Sequence, residues 1–148
     1  MKKAIIVSGT PGTGKTTIAK KISKERGYDY LDINEIIKEN GLKEGFDKKR
    51  NSIIVDVKKL NKILIKLIEN SKKTLVIDGH LSHYLPKKYV KTCFITKCDL
   101  KTLKKRLEKR KYSEAKIREN LDAEIFDICR IEALEKGHKV KIIDTTKL

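Results

Sequence analysis

Apolar residues along this chain recur with two different spacings, and the switches between them predict its elements. Residues 3–8, with the β-branched Ile5, Ile6 and Val7 at their centre, read as a short buried strand stopped by Gly9. After Lys15 the spacing becomes helical, with Ile18, Ala19 and Ile22 on one stripe that ends at Gly27. Residues 28–33 give a second strand, and Asn34 is expected to cap a brief helix over 35–40 that Gly41 ends. From 41 to 52 the chain is polar and lacks a clear period, which predicts a loop, and a long polar loop in a compact domain is commonly functional. Asp56 or the preceding turn opens a helix with Leu60, Ile63, Leu64, Leu67 and Ile68 on one face and Lys59, Lys62 and Lys66 on the other.

Strands are then expected over 73–80 and 91–96, the first ending in an acid, Asp78. Asp99 caps a helix carrying Leu100, Leu103 and Leu107, and Ser113 caps another with the stripe Ile117, Leu121, Ile125 and Ile128, which Gly137 stops. A last strand covers 139–144. Five strands alternating with helices predict one α/β domain over 1–148, a five-stranded parallel sheet with helices on both faces.

The sharpest local signal lies between the first strand and the first helix. Gly9, Gly14, Lys15 and Thr16 fit G-x-x-x-x-G-K-[ST], the phosphate-binding P-loop, in the strand–loop–helix setting that it requires. Glycines let backbone N–H groups turn inward around an anion, and the helix N-terminus favours negative charge. Gly12, Thr13, Gly14, Lys15, Thr16 and Thr17 are therefore the candidate ATP-binding residues, with Lys15 directed at the β- and γ-phosphates and Thr16 offering a hydroxyl to Mg²⁺.

Downstream residues extend the site. Asp78 arrives at the same sheet edge as the P-loop, where an acid holds the metal directly or through water. His80, two residues on, either orients a water, relays a proton or positions the acid, or simply packs over the sheet edge. Arg106 and Arg110 are i and i+4 on one helix face beside a polar break, where guanidinium groups close over phosphates. The alternative is a pair of solvated charges, with Arg106 pairing Glu108 or Glu114. His83 and His138 carry no assignment from spacing.

Composition changes the picture in two respects. With 36 Lys and Arg against 20 Asp and Glu, the net charge is +16, a field that attracts nucleotides, RNA and ribosomal surfaces. The same lysine-rich, proline-poor balance is also a habit of heat-adapted chains, and no aromatic RNA-module motif accompanies it. The three cysteines, Cys93, Cys98 and Cys129, have no metal-ligand spacing and suggest a reducing, cytoplasmic setting, with Cys93 and Cys129 at core positions. No apolar run reaches the roughly 18 residues of a membrane span, and no signal peptide precedes the first strand.

Three stretches, Gly9 to Thr17, Asp78 to His80, and Arg106 to Glu114 running on into Glu119 to Phe126, together resemble the adenylate kinase isoenzyme 6 family. These are small P-loop nucleoside monophosphate kinase-like proteins that also serve as ATPases in small-ribosomal-subunit assembly. The resemblance covers nearly the whole chain. It implies ATP:AMP phosphotransfer with Mg²⁺-dependent ATPase activity, and small-subunit ribosomal protein and pre-rRNA as partners.

By the same resemblance, Lys15, Asp78, His80 and Arg110 act in catalysis, with Thr16 and Asp78 serving Mg²⁺ and Arg110 as the lid arginine on the ATP phosphates. Lys147 falls where the family has a nucleotide contact. Asn34 and Lys38 lie in the acceptor-nucleotide region of about 34–53, and a short lid spans about 108–118. Three departures stand out. Lys38 replaces an expected arginine, so a point charge takes the place of a bidentate fork. The 41–50 segment is basic where relatives are acidic. Relatives also continue into a further helix beyond the position of Leu148, so exposed apolar surface, and a monomer or weak dimer, are expected here.

Overall fold

Five parallel strands form the sheet, in the order β2-β5-β1-β6-β7. The structure, a computed structural model, describes residues 2–48 and 52–148. Strand β1 (Ala4–Gly9) lies at the centre, between β5 (Leu75–Asp78) and β6 (Val90–Lys97). The edges are β2 (Asp29–Asp32) and β7 (Val140–Asp144). Strands β1 and β5 are buried throughout because both faces are covered, which is why they read as largely apolar runs.

Alternate residues serve opposite faces. Ile5, Val7, Val76 and Phe94 pack against Ile18, Ala19 and Ile22 of α1 (Lys15–Arg26). Ile6, Ile77, Cys93 and Ile95 face the other way, onto Leu60, Leu64 and Ile68 of α3 (Val57–Asn70) and Ala133 of α6 (Ile128–Glu135). A third cluster, Cys98, Leu103, Leu107 and Ile117, joins α4 (Leu100–Lys109) to α5 (Glu114–Ile125). The expected caps at Asp56, Asp99 and Ser113 all form, each side chain accepting the backbone N–H three residues on.

Four expectations need correction. The cap of α2 (Ile33–Glu39) is Asp32, whose carboxylate accepts the Asn34 N–H at 2.9 Å, so Asn34 lies inside the helix. An aspartate one position before the first buried helical residue, Ile33, outcompetes the asparagine after it. The 41–52 segment is not all loop: β3 (Lys43–Asp47) pairs antiparallel with β4 (Ser52–Val55). It shows no period because Phe46, Ile53 and Ile54 are all exposed, so no buried face imposes one. Lys49 and Arg50 of this segment lie outside the described residues.

On α3, Leu67 is exposed and Ile65 packs against the core in its place. Finally, the single helix expected from Ser113 to Gly137 is two. The break falls at Asp127, a non-glycine residue at φ 57°, whose carboxylate meets Lys97 Nζ at 2.5 Å and also bonds Arg130. Ile125 and Ile128, placed on the stripe by spacing, are instead exposed, as are Phe126, Ile131, Leu134 and Ile142 of β7.

Candidate functional site

At the C-terminal edge of the sheet the P-loop turns out of β1 into α1. Two glycines there are required by close approach and backbone conformation. A Cβ on Gly9 (φ 147°) would lie 2.7 Å from the Thr96 carbonyl oxygen and 2.5 Å from its hydroxyl. One on Gly12 (φ 92°) would lie 3.0 Å from both Leu103 and Leu107, whose helix packs onto the loop. Thr13 is fully buried, its hydroxyl donating to the Thr10 carbonyl at 2.6 Å and sharing a bond with Thr96 at 2.7 Å. Its side chain is thus a strut within the loop rather than a group presented to a ligand.

Lys15 Nζ reaches back to the carbonyl oxygens of Gly9 (3.1 Å) and Thr10 (3.4 Å). Loss of solvation holds its pKa down at about 8, with Asp78 pulling upward and the Arg110 guanidinium adding repulsion. Arg110 is exposed at the end of α4, and its guanidinium makes no hydrogen bond or ion pair among the described residues. The two positive charges thus act on each other near the loop, an arrangement that a bound anion relieves. The α4–α5 connection at the expected lid is short, with Lys111 at φ 59° in the turn.

Asp78 is buried at 3% exposure, and one of its oxygens, Oδ2, accepts the Thr16 hydroxyl at 2.7 Å and the Tyr30 hydroxyl at 2.7 Å. Thr16 and Asp78, both singled out from the sequence, are in direct contact here, and Tyr30, which the sequence does not single out, joins them. Among the described residues there is no cluster of three or more His, Cys, Asp and Glu able to hold a metal by themselves. A hydroxyl and one carboxylate, beside a phosphate cradle, are a hard oxygen set that fits Mg²⁺, which keeps waters and shares substrate phosphates.

His80 stands exposed on the rim, yet neighbouring protein strips its solvation and Lys15 repels a second positive charge, so its pKa is driven down and the ring is neutral. His83 is the better-placed histidine structurally: 1% exposed, its Nε2–H donates to Glu132 at 3.2 Å, leaving Nδ1 to accept the Ser8 hydroxyl at 2.7 Å. Tyr84 donates to the same carboxylate at 2.8 Å, and His138 Nε2–H donates to the His83 carbonyl at 2.9 Å. The two unassigned histidines are thus a buried brace beneath the P-loop strand.

Arg106 pairs with neither Glu108 nor Glu114. Its guanidinium donates to the Thr145 carbonyl (2.6 Å), the Thr145 hydroxyl (3.2 Å) and the Gly12 carbonyl (3.4 Å). Thr145 in turn donates to the Thr13 carbonyl at 2.5 Å, and Leu148 lies 3.2 Å from where a Cβ on Gly14 would sit. The segment after β7 therefore rests on the loop, with Lys147 exposed within it. Glu124 is the second unforeseen residue: buried, it accepts from the Thr10 hydroxyl (3.1 Å) and the Cys98 N–H (3.1 Å). Spacing runs the stripe through Ile125 instead, and Glu124 enters the sequence reading only within the Glu119 to Phe126 stretch. Asn34 and Lys38 are exposed on α2 and do not join this cluster.

A family described as "AAA domain" matches residues 5–127. A protein of Methanocaldococcus jannaschii named "Putative adenylate kinase" is 42% identical over 96% of this chain and 76% of its own length. One of Thermococcus onnurineus with the same name is 38% identical over 96% and 74%. Among solved structures, a sugar kinase from Janibacter sp. HTCC2649 superposes with a TM-score of 0.63 at 16% identity, over 97% of this chain and 86% of that one. A shikimate kinase from Bacteroides thetaiotaomicron gives 0.55 at 16% identity over 97% and 87%. Those two likenesses establish the P-loop kinase fold.

Proposed function

The chain belongs to the small P-loop family of these adenylate kinase-named archaeal relatives, and on that footing we propose that it transfers the γ-phosphoryl of ATP to AMP or a related nucleoside monophosphate. The observation that supports this reading most is the Thr16 hydroxyl bonded to the buried Asp78 beside Lys15 of the P-loop, with the Arg110 charge near enough to help lower the Lys15 pKa. Phosphoryl transfer needs little covalent chemistry from protein; it needs phosphates held in line and their charge neutralised. The loop amides and Lys15 hold the donor phosphates, and Arg110, unpartnered among the described residues, closes on them from the end of α4. Thr16 and Asp78 hold Mg²⁺, which when bound neutralises charge on the β- and γ-phosphates. The lid is the segment about 108–118, and the acceptor is held by about 34–53, including Asn34 and Lys38 on α2. Lys147 lies on the donor side, in the segment resting on the loop.

Mg²⁺-dependent ATP hydrolysis tied to small-ribosomal-subunit biogenesis is the second reading. It is favoured by neutral His80 on the rim, able to orient a water, and by the +16 charge, which suits an RNA or ribosomal partner. Assaying ADP formation with ATP against a panel of monophosphates, with a monophosphate-free blank, separates the two. ADP formation that depends on AMP is the expected result. Turnover equal in the blank, and raised by ribosomal protein or RNA, would replace the kinase with the hydrolase. Turnover only with a non-nucleotide acceptor would make it a small-metabolite kinase.

A further inference from the structure

Tyr30 sits on β2 next to β5, in register opposite Val76, two residues before the capping Asp32. Its ring packs against the cluster that includes Ile18 and Ile22, with Lys20 Nζ 5.5 Å from the ring centre. Its hydroxyl goes to Asp78 Oδ2, the oxygen that Thr16 also uses. We propose that Tyr30 is a positioning residue for the metal carboxylate: by holding Oδ2 it fixes the plane of Asp78 and presents Oδ1 to the cation or its water.

The inference rests on the nucleotide reading above. A threonine hydroxyl that turns a lone pair to a cation must point its proton away, and Asp78 Oδ2 is where that proton already goes. Two donors on one oxygen leave the other oxygen as the carboxylate's free acceptor. The Tyr30 phenol is the donor in its bond to Oδ2, since an ionised carboxylate can only accept. The sequence shows Asp78 and Thr16 but not Tyr30, because the contact crosses from one strand to its neighbour.

Groups that orient a metal ligand typically cost about 10-fold or more in metal affinity when removed. The test is Tyr30→Phe, which keeps the ring and its packing and removes only the hydroxyl; far-UV circular dichroism checks the fold. Mn²⁺ binding to the complex with a non-hydrolysable ATP analogue is read by electron paramagnetic resonance, and binding of a fluorescent ATP in EDTA is read separately. The expected result is about tenfold weaker Mn²⁺ binding with metal-free nucleotide affinity unchanged within about twofold. Unchanged Mn²⁺ affinity overturns the proposal, as does an equal loss in both arms, which would mean a general structural role. If the wild-type protein itself binds no Mn²⁺–nucleotide, the nucleotide reading fails and takes this one with it.

Discussion

Lys15 and Arg110 show at the scale of single residues how charge is arranged for a ligand. Lys15 lies in the phosphate loop, and the Arg110 charge adds to what holds its pKa down. Lys15→Ala and Arg110→Ala are each expected to lower kcat/KM for ATP by roughly three powers of ten, the usual worth of a cation on a transferring phosphoryl group. Steady-state kinetics checks this, and circular dichroism of both variants should match wild type because neither side chain packs in a core cluster. Arg106 differs although it sits one turn away on the same helix. Its three bonds to Thr145 and Gly12 make it a strap between the chain's last segment and the loop. Spacing alone offered the two arginines as equivalents; only their partners tell them apart.

Among the elements, the break between α5 and α6 is the informative case. Glu124 is drawn under the loop by Thr10 and Cys98, and three residues later Asp127 takes the left-handed conformation with Lys97 and Arg130 on its carboxylate. A side chain with a Cβ costs about 1–2 kcal/mol in that conformation, with aspartate and asparagine the best tolerated after glycine. Asp127→Ala is therefore expected to destabilise by about 2 kcal/mol, and Asp127→Asn by about half of that, since only the charge pairing is lost. Urea unfolding of the two variants checks the order. The hydrophobic stripe cannot reveal this break, because Ile125 and Ile128 continue the spacing across it although both are exposed.

Across the molecule, the brace of His83 and His138 links β1, the turn at Ser82–Tyr84 and α6. Burial is the larger cause that lowers the His83 pKa; Glu132 opposes it, and His138 and Lys136 reinforce it. His138 is lowered in the same sense, again chiefly by burial. The unfolded chain thus takes up protons near pH 6.5 that the folded chain refuses, so stability falls as pH drops through about 6.5 and levels off below the folded values. Urea midpoints between about pH 7.5 and 5 should decline in wild type and decline less in His83→Gln, where Ser8 keeps an amide partner. A slope unchanged by the substitution would remove His83 from the account.

The sequence by itself determined the sheet, its five strands and the loop, because those depend on signals local in the chain: a period, a glycine, a capping side chain. It also placed Asp78, since a strand's end reads directly as an edge of the sheet. What it left undecided lies between segments far apart in the chain. Tyr30 on Asp78, Glu124 on Thr10, Arg106 on Thr145 and Ser8 on His83 are contacts across 48, 114, 39 and 75 residues. Such partners leave no spacing to read, and only packing decides them. The exposed hairpin β3–β4 stayed illegible for the opposite reason: its apolar side chains, Phe46, Ile53 and Ile54, meet no core to impose a pattern.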